Sequence, residues 1–547
     1  MRGAKENQQV PRRYYRPEHT QCRRCGHVLK RAYPWWSQYI VFLQGRELVS
    51  SIAYRCTNPT CREARRGQVH TSPVADRLTL RGSSFAVEGI VQIGYWRFWK
   101  RWTIAQIHDV LTHERQVPIS EREVLYLVGV FLVLLRCTYP LRFAEHAAYF
   151  RRHGLFVAVD ALRPEKGNRA LYVIRELKFG LVLQVVPVLA ADHSTLATRV
   201  LRPVDALGYR IRGVVSDEEV ALCQAVAQVW PRAAHQTCHW HCLRDAAAPL
   251  LAADRALKKA VKRALQDPVS AVARTLARLS PEGPCTEVLA TYTELIRTSL
   301  GRGEQATVRL RESAHRGSLG ADRSVAAAEP AKRGHPLLAQ LLAVVQRRRA
   351  FTTPYLRLYR QRGWLVELER RLDPPIVAGV PRPSSSQVQR RVKAFLAELQ
   401  HHAGYHPPDT PVIAHISATW ANRWPRLFAC YAWPERYRTN NEVETFFGRL
   451  RTRQRQTTGH KATHDFILRY GEWAVFVDPQ ESFEQVLTRC QQFNQDDFAR
   501  ESGRFQHAQH RLRVLYRFRH HPRRCLATLE QAWADAMRRK SQNSLRG

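Results

Sequence analysis

The spacing of apolar positions changes near residue 154, where a series of strand-like runs begins. Three runs rich in β-branched residues follow one another closely, with the sequences GLFVAVDAL, RALYVIRE and GLVLQVVPVLAA. Short, closely spaced runs of this kind predict three antiparallel strands. A helical stretch, a fourth strand with the sequence RIRGVVSD and a helix from about Glu218 to Trp230 come next. The pattern therefore predicts an α/β core over residues 151–249.

Helical spacing dominates the segment before this core, and residues 83–136 are predicted to be helical throughout. One helix is predicted to begin at Thr103, a favourable N-cap, and a second at Ser120, which opens a capping box. The break between the two is longer than the tight turn of a helix-turn-helix. Residues 83–150 therefore predict a helical region for which a helix-turn-helix and an ordinary helical hairpin both stay open.

After residue 250 the pattern is again helical. Residues 250–435 are rich in Arg and interrupted by polar stretches, which predicts a large all-α insertion with disorder near 313–335. Residues 436–480 are predicted to supply the final helix of the core, and residues 481–547 a basic helical C-terminal region. The order strand, strand, strand, helix, strand, helix is the one expected of a ribonuclease H-like fold.

Four of the 12 cysteines lie near the N-terminus with metal-ligand spacing. The pairs Cys22-x-x-Cys25 and Cys56-x4-Cys61 flank two strand-like runs within residues 21–75. Two close Cys pairs on either side of a hairpin predict a zinc ribbon, in which four thiolates hold a structural Zn²⁺ in tetrahedral geometry. The wider spacing of the second pair leaves unligated thiols as the alternative.

The charge balance points to a polyanionic partner. Lys and Arg number 86 against 47 Asp and Glu, which gives a formal net charge of +39 and a pI near 10.5. A GC-rich genome would enrich Arg over Lys, but it would not explain this excess of cations over acids. Nucleic acid is the usual partner of so basic a chain. We therefore interpret residues 1–20 as a flexible basic arm, and Lys100 and Arg101 as DNA-binding candidates.

The remaining cysteines and the apolar runs bear on the compartment. Most of these cysteines are scattered singly, a pattern typical of a reducing compartment rather than of a disulfide framework. The first residues contain no apolar core, and the longest apolar run, Leu125–Leu135, is too short to span a bilayer and predicts a buried helix. We expect an intracellular protein without a membrane segment, cytoplasmic and nucleoid-associated in a prokaryote or nuclear in a eukaryote.

Two acids stand at the ends of predicted buried strands. Asp160 closes the apolar run Leu155–Val159, and Asp217 closes the fourth strand. An acid in such a place is costly unless it is capped, paired or bound to metal. The competing explanations are a turn residue at Asp160 and a helix cap at Asp217, where Ser216 and Glu219 have the spacing of a capping box.

A third acid, Glu444, lies on a predicted amphipathic helix. Asn441 is a favourable N-cap with Glu444 at the matching third position, so a capping box is again the simple explanation. Glu444 also shares one helical face with Gly448, Arg451 and Arg455. An acid, a bare Gly and two Arg along one side indicate a surface over which a phosphate backbone passes, which makes the two Arg DNA-binding candidates.

Three blocks of the sequence resemble one known family. The blocks VAVDAL, GVVSDEEVALCQAVAQVWPRAAHQTCHWHCLRDAA and TNNEVETFFGRLRTRQRQTTG resemble the Mutator-like transposases and the related bacterial insertion-sequence transposases. The resemblance implies an Asp-Asp-Glu (DDE) transposase in which Asp160, Asp217 and Glu444 form the catalytic, metal-binding triad. It implies two Mg²⁺ (or Mn²⁺) ions per active site. The neighbouring acid Glu442 points about 160° away from Glu444 on a helix and does not match the motif.

The second block also contains the family's Cys-x-x-His pair, Cys238 and His241. The family resemblance implies that this pair steadies the active site or its DNA contacts. Two further residues, His239 and Cys242, make the segment dense in ligand types. A second zinc site and an ordinary buried Cys and His both fit this pattern. Trp240 is a candidate to stack on an extruded base, although a buried structural Trp is the commoner outcome.

The resemblance implies metal-dependent cleavage at transposon ends and strand transfer into target DNA. Water would free a 3′-hydroxyl, which would then attack the target. The zinc ribbon and the helical region would bind the terminal repeats, with phosphate contacts supplying most of the affinity. Because two DNA ends must meet, we expect a homodimer or a larger assembly. A non-catalytic transposase-derived DNA-binding regulator and a nuclease or resolvase that cuts without joining stay open as alternatives.

Overall fold

The computed structural model describes residues 10–163, 169–278, 284–300, 335–373, 381–459 and 470–544. The chain divides into two compact units, the first formed by Met1–Ala234 with Asn440–Gly547 and the second by His235–Thr439. The protein is mixed α/β, with two mixed sheets in the part that is described. The segment 313–335, predicted to be disordered, lies outside the described residues except for His335.

A small N-terminal sheet opens the first unit. Its strands are β1 (Arg12–Tyr15), β2 (Lys30–Phe42), β3 (Gly45–Arg55) and β4 (Val69–His70). Strand β3 pairs with β1 in parallel and with β2 and β4 antiparallel. Two short helices, α1 (Arg62–Arg65) and α2 (Pro73–Asp76), follow β3 and β4. The prediction of a flexible arm over residues 1–20 was wrong for β1, because its backbone pairs with β3.

Helices follow this sheet. They are α3 (Val87–Phe98), α4 (Ile104–Asp109, continued by a π-helical segment, Val110–Glu114), α5 (Glu121–Glu145) and α6 (Ala147–His153). Thr103 caps α4 in a capping box with Gln106, and the Ser120 hydroxyl accepts a hydrogen bond from the Glu123 backbone N–H at the start of α5. Both predicted helix starts are confirmed. The prediction of helix throughout was wrong for the breaks at 99–103 and 115–120.

Helix α5 is the core helix of this region. Among the described residues it is the one helix that is long and apolar enough to cross a membrane. Most of its apolar stretch is buried inside the protein. It packs against α3, where an added Cβ at Gly94 would lie 2.1 Å from the Phe131 ring. Glycine is therefore needed at Gly94 for close approach, and the apolar run Leu125–Leu135 is part of a mostly buried helix, as predicted.

A five-stranded sheet has its first four strands in the first unit, and its fifth strand begins at Ala234, where the chain passes to the second unit. Its strands are β5 (Leu155–Leu162), β6 (Ala170–Glu176), β7 (Val182–Val188), β8 (Ile211–Ser216) and β9 (Ala234–Thr237), in the order β7-β6-β5-β8-β9. Strands β5, β6 and β7 are antiparallel, as predicted, and β8 runs parallel to β5. The prediction did not include β9, which has the short polar sequence AHQT.

Helical segments cover the apolar side chains of this sheet. They are α7 (His193–Thr195), a π-helical segment (Leu196–Leu201), α8 (Arg202–Asp205) and α9 (Val220–Val229). Their buried residues form one core cluster with β5, β6 and β8. The first five residues of β5 are all buried, so the strand is central, as its apolar sequence predicted.

Beyond β9, the regular elements described in the second unit are all helical. Its helices are α10 (His239–Ala246), α11 (Ala248–Val261), α12 (Asp267–Leu276), α13 (Pro284–Leu300), α14 (Pro336–Arg348), α15 (Thr352–Leu372), α16 (Ser385–Tyr405) and α17 (Thr410–Arg423). A π-helical segment (Lys262–Gln266) and short 3₁₀ turns (Arg349–Phe351, Pro407–Asp409, Trp424–Arg426, Ala429–Ala432) connect some of them. The fully buried Asp409 accepts hydrogen bonds from Arg360 and Gln361.

The chain then returns to the first unit. The helices of this last segment are α18 (Asn441–Thr458), α19 (Gly471–Ala474), α20 (Phe483–Cys490), α21 (Gln495–His520) and α22 (Pro522–Ser544). Helix α18 packs against β5, and α20 and α21 pack against α5. The final region is helical, as predicted for residues 481–547.

Candidate functional site

The register of two parallel strands brings Asp160 and Asp217 to one edge of the central sheet. Val159 of β5 lies opposite Ser216, the last residue of β8, and the residue after each of them is an acid. The prediction that Asp160 closes its strand or lies in a turn was wrong, because β5 continues to Leu162 and pairs Asp160 with Val173 of β6. Neighbouring strands lie about 4.8 Å apart. Because the two strands run in the same direction, the backbones of the two acids lie side by side.

The third acid comes from α18. Asn440, the residue before this helix, donates a hydrogen bond from Nδ2 to Oδ2 of Asp160 at 3.1 Å. Glu444 lies in the first turns of α18, where its backbone N–H donates to the Asn440 carbonyl oxygen at 3.1 Å. The other oxygen of Asp160 accepts a hydrogen bond from the Ala161 N–H at 2.7 Å. The Asp160 carboxylate is therefore held against the start of the helix that carries Glu444.

The charges of the three acids act on one another. The pKa of Asp160 is raised to about 7, first by burial and then by the nearby charges of Asp217 and Glu444, against the lowering effects of the Ala161 N–H and Arg163. Like-charged carboxylates in a buried place repel one another, and a divalent cation between them would remove that cost.

The side chain of Asn440, which contacts Asp160, offers a further oxygen atom. Asn440 is fully buried, and its Oδ1 atom has no hydrogen-bond partner among the described residues. Carboxylate and amide oxygens are the ligands that hard cations such as Mg²⁺ and Mn²⁺ prefer. The donor set formed by Asp160, Asp217, Glu444 and Asn440 therefore fits such ions.

The distances between these oxygens bear on whether the site would hold one ion or two. Among the described residues, the ligand atoms that gather within 4.8 Å of one another belong to two groups near Cys22, and the three acids are not one of them. Two Mg²⁺ ions about 4 Å apart, each about 2.1 Å from its ligands, would separate ligand oxygens at opposite ends by about 8 Å. Ligand oxygens that lie farther apart than the ligands of a single ion are thus compatible with a centre that holds two ions.

The capping explanation for Asp217 was wrong. Helix α9 begins at Val220 without a side-chain cap, so neither Ser216 nor Asp217 caps it. The Ser216 hydroxyl donates to the Asp217 backbone carbonyl instead. The Glu219 carboxylate accepts hydrogen bonds from the Tyr172 hydroxyl at 2.8 Å and from Arg163 at 2.6 Å.

The capping explanation for Glu444 was also wrong. Helix α18 begins at Asn441, one residue earlier than a capping box with Glu444 requires, and no side chain caps it. Asn440 occupies the cap position, but its amide bonds to Asp160. The sequence analysis missed this role of Asn440, because two adjacent Asn residues before a helix do not show which of them turns towards a strand.

The network around Glu219 was a second residue set that the sequence analysis missed. Arg163 pairs with Glu219, and the charges of Asp160 and Asp217 both raise the pKa of Arg163. The hydrogen bond to Glu219 also helps to raise the pKa of Tyr172, after burial. These interactions place a cation beside the acids, and no sequence spacing predicts a contact between residues so far apart in the chain.

The predicted phosphate contacts and Glu442 lie on different sides of helix α18. Arg451 and Arg455, the predicted phosphate contacts, are exposed, and an added Cβ at Gly448 would meet nothing within 4 Å. On another side Glu442 lines a cavity of about 380 Å³ together with Arg175. The charge of Glu442 acts on Arg175 and Glu176, whereas the carboxylates with the largest effect on the pKa of Asp160 are Asp217 and Glu444.

The four N-terminal cysteines form a site that could hold a structural metal such as zinc. The Sγ atoms of Cys22 and Cys61 lie 3.8 Å apart, those of Cys25 and Cys56 lie 3.6 Å apart, and all four lie within 4.8 Å of one another. A Zn–S bond of about 2.3 Å in tetrahedral geometry places sulfur atoms about 3.8 Å apart. These distances fit a zinc ion and far exceed a disulfide bond length.

A carboxylate and two imidazoles adjoin the cysteine site. Cys22 donates a hydrogen bond from its thiol to Glu63 at 2.9 Å, which raises the pKa of that thiol to about 12. His70 lies 3.4 Å from the same carboxylate, and His19 Nε2 lies 3.1 Å from His70 Nδ1. Polar partners of this kind orient metal ligands in protein sites.

The Cys-x-x-His segment lies in the second unit. Cys238, His239, His241 and Cys242 are all buried, and none belongs to a metal-capable group within the described residues. Burial lowers the pKa of His239 to about 4, and its Nε2 lies 2.8 Å from the Leu427 carbonyl oxygen. This supports a buried, hydrogen-bonded histidine at position 239.

The remaining DNA-binding candidates are exposed. Trp240 is 45% exposed, which rules out the buried structural role, and the Arg244 guanidinium lies 5.1 Å from its ring. Lys100 and Arg101 are exposed where the chain turns between α3 and α4, and Arg101 has a left-handed φ of 62°. Helix α5, the second helix of the predicted pair, is buried through its middle, and its exposed side chains lie towards its two ends.

Comparison with known proteins gave no match. No protein-family model matches the chain, and a search of curated proteins found none similar to it.

Proposed function

We propose that the chain is a DNA transposase of the Asp-Asp-Glu type, which cuts at transposon ends and joins the freed end to target DNA. The observation that carries this proposal is the placement of Asp217 and the Glu444-bearing helix around the partly buried Asp160 carboxylate. The capping boxes that were the simple alternatives to a metal-binding role for Asp217 and Glu444 are absent.

The arrangement of strands supports a ribonuclease H-like core in the first unit. Three antiparallel strands are followed by β8, which runs parallel to β5, and α18 packs on β5. The second unit comes from the chain between Asp217 and Glu444. That position fits an all-α insertion between the second and third acids of the triad.

The three acids would hold Mg²⁺ or Mn²⁺, with the Asn440 Oδ1 atom as a further oxygen nearby. Bound divalent ions in such a centre activate the attacking oxygen and stabilise the leaving one. The residues of the chain do the positioning. Asn440 and the Ala161 N–H fix the two oxygens of Asp160, and the β5–β8 register fixes the backbone of Asp217.

DNA binding follows from charge and exposure. Arg451 and Arg455 on α18 are exposed, as are Lys100 and Arg101, and the chain as a whole carries a formal net charge of +39. Contacts of these side chains with phosphates position DNA without reading its sequence. The four-cysteine module would hold structural zinc and contribute to recognition of the terminal repeats.

The test is incubation of the full chain with DNA that carries the flanking element ends, in Mg²⁺ or Mn²⁺. We expect cleavage at the ends and joined products, both abolished in Asp160→Ala while DNA binding is kept. Glu442→Gln is the matched control, because this acid lies two residues from Glu444 but lines another cavity. It should cut normally.

Each alternative function has its own result in this assay. Cleavage without joined products would indicate a nuclease or resolvase. DNA binding without cleavage in either metal would indicate a non-catalytic regulator. Cleavage by Asp160→Ala at the wild-type rate would overturn the assignment of the acids.

A further inference from the structure

The N-terminal sheet exposes the aromatic rings of two tyrosines. Tyr14 on β1 is 61% exposed and Tyr39 on β2 is 44% exposed. Large aromatic side chains lose favourable burial when they stand in water, and they are enriched where a partner stacks on them. The two tyrosines belong to outer strands of the sheet, with β3 between them.

The register places both rings on one face. Tyr14 lies opposite Ser50, and Ser50 lies opposite Ser37, which is two residues from Tyr39. Residues opposite one another on neighbouring strands, and residues two apart on one strand, point to the same side. The side chains of Ser37 and Ser50 hydrogen-bond to each other at 2.8 Å. Two small hydroxyl residues therefore lie between the tyrosines.

The other face of the sheet is the packed one. Tyr15 and Trp36 each follow or precede a residue of the first face by one position, so they point to the opposite side of the sheet. There they pack against a core cluster that includes Ile40 and Val49. The sheet thus has one face turned to the protein and one, with Tyr14, Ser37, Tyr39 and Ser50, turned outwards. We call the outward one the aromatic face.

The charge around the aromatic face is positive. Strands β1, β2 and β3 contain six Lys or Arg and one acid, Glu47. Glu47 pairs with Arg13 at 2.8 Å on the packed side. On the aromatic face the Arg46 guanidinium lies 4.2 Å from the Tyr39 ring, and Arg12 occupies the position two residues before Tyr14. This arrangement fits a polyanion with aromatic groups.

The spacing of the rings favours a single strand over a duplex. Tyr14 and Tyr39 are offset by two strands and by two residues, which places their Cα atoms about 12 Å apart. Bases stacked in a duplex follow one another at a rise of about 3.4 Å and hide their faces. Two bases that stack on rings so far apart must be splayed, which an unpaired strand permits.

We propose that the aromatic face binds single-stranded DNA, with bases stacked on Tyr14 and Tyr39 and the backbone held by Arg12 and Arg46. This goes beyond cleavage by the three acids and does not depend on it. A strand freed from its partner near a cut or a target would be held there. Tyr33 and Trp35 are also exposed on β2, but a bulge at Pro34/Trp36 interrupts the register, so the proposal rests on the two tyrosines.

The test measures binding of the full chain to a single-stranded oligonucleotide that contains 2-aminopurine, in a buffer without Mg²⁺ or Mn²⁺ so that cleavage cannot contribute. Stacking should quench the 2-aminopurine fluorescence. Tyr14→Ala with Tyr39→Ala should weaken binding at least about ten-fold, given the usual effect of removing a stacking ring. The affinity for duplex DNA should change less than about two-fold, because phosphate contacts supply duplex binding.

Two further variants separate stacking from loss of fold. Tyr14→Phe with Tyr39→Phe keeps both rings and should bind the single strand as the wild type does. Tyr405→Ala removes a tyrosine at the end of α16 that is 72% exposed and should also leave binding unchanged. Equal single-strand affinity in the double Ala variant, or an equal loss of single-strand and duplex binding, would overturn the proposal.

Discussion

Replacement of Asp160 by Asn should change the stability of the first unit in a way that depends on pH. Asp160 has a pKa of about 7 against an ordinary value of 3.8. Because the folded state holds the proton more tightly, its stability falls as the pH rises from about 4 to about 7 and stays low above that range. The variant has no carboxylate at this position and should not show this fall.

The magnitude follows from the same numbers. A difference of one in pKa corresponds to about 1.36 kcal/mol of unfolding free energy, so a difference of about three corresponds to about 4 kcal/mol. The Asn side chain can still accept the Ala161 N–H, but its amide would face the amide of Asn440. Loss of that hydrogen bond costs about 1 kcal/mol. Asp160→Asn should therefore stabilise the metal-free protein by about 3 kcal/mol at about pH 9 and destabilise it by about 1 kcal/mol at about pH 4.

The assay is a urea titration followed by hydrogen exchange of peptides from β5 and β6. These peptides report on the first unit separately, which matters because a chain of two units need not unfold in one step. At about pH 8, Mg²⁺ at 100 times its dissociation constant should stabilise the wild type by about 2.7 kcal/mol. The variant should gain little from the metal.

Glu442→Gln is the control for both effects, because Glu442 lines a different cavity. It should follow the wild type in pH dependence and in its response to metal. A stability difference between wild type and Asp160→Asn that has the same size at both ends of the pH range would refute the reasoning. Equal stabilisation of the two proteins by Mg²⁺ would refute it as well.

Two other predictions concern the ribbon and the helical core. Purified protein should carry one Zn²⁺ per chain at the four-cysteine site, as measured by metal analysis. Replacement of Cys56 by Ser, or removal of the metal by a chelator, should unfold β1–β4. Hydrogen exchange that shows a folded ribbon without metal would contradict the assignment. Gly94→Ala places a Cβ 2.1 Å from the Phe131 ring and should cost about 2 kcal/mol of unfolding free energy. Gly89→Ala in the same helix meets nothing within 4 Å and should be neutral or stabilising, so equal urea midpoints for the two variants would contradict the packing.

The central sheet could be predicted because its strands have a simple signature. Strand β5 begins with five apolar residues, β6 and β8 are rich in β-branched residues, and Asp217 follows the end of β8. The predicted strand end at Asp160 was wrong, because β5 continues to Leu162. Those features depend on local sequence. The antiparallel order of β5, β6 and β7 followed from their short connections.

Features that depend on distant contacts were missed. Asn440 binds Asp160, and Glu219 binds Tyr172 and Arg163. Each of these polar residues has a local role, as a cap or turn, that is equally compatible with the sequence. The tertiary contact decides which role applies, and no periodicity encodes it.

Short or irregular strands were missed for a different reason. Strand β9 has four mostly polar residues, and β1 has the sequence RRYY, which is as typical of a basic arm as of a strand. Pairing with a longer neighbour stabilises them, and the neighbour lies elsewhere in the chain. The aromatic face escaped notice for the same reason, since Tyr14 and Tyr39 share a face only through the register of β3.

The most direct test of the account is a count of Mn²⁺ ions bound by the full chain, by electron paramagnetic resonance or titration calorimetry. The account predicts about two Mn²⁺ ions per chain in the acidic site, with binding lost or strongly weakened in each of Asp160→Asn, Asp217→Asn and Glu444→Gln, and kept in Glu442→Gln. Wild-type Mn²⁺ binding by Glu444→Gln would contradict it, because the third acid would then not belong to the site.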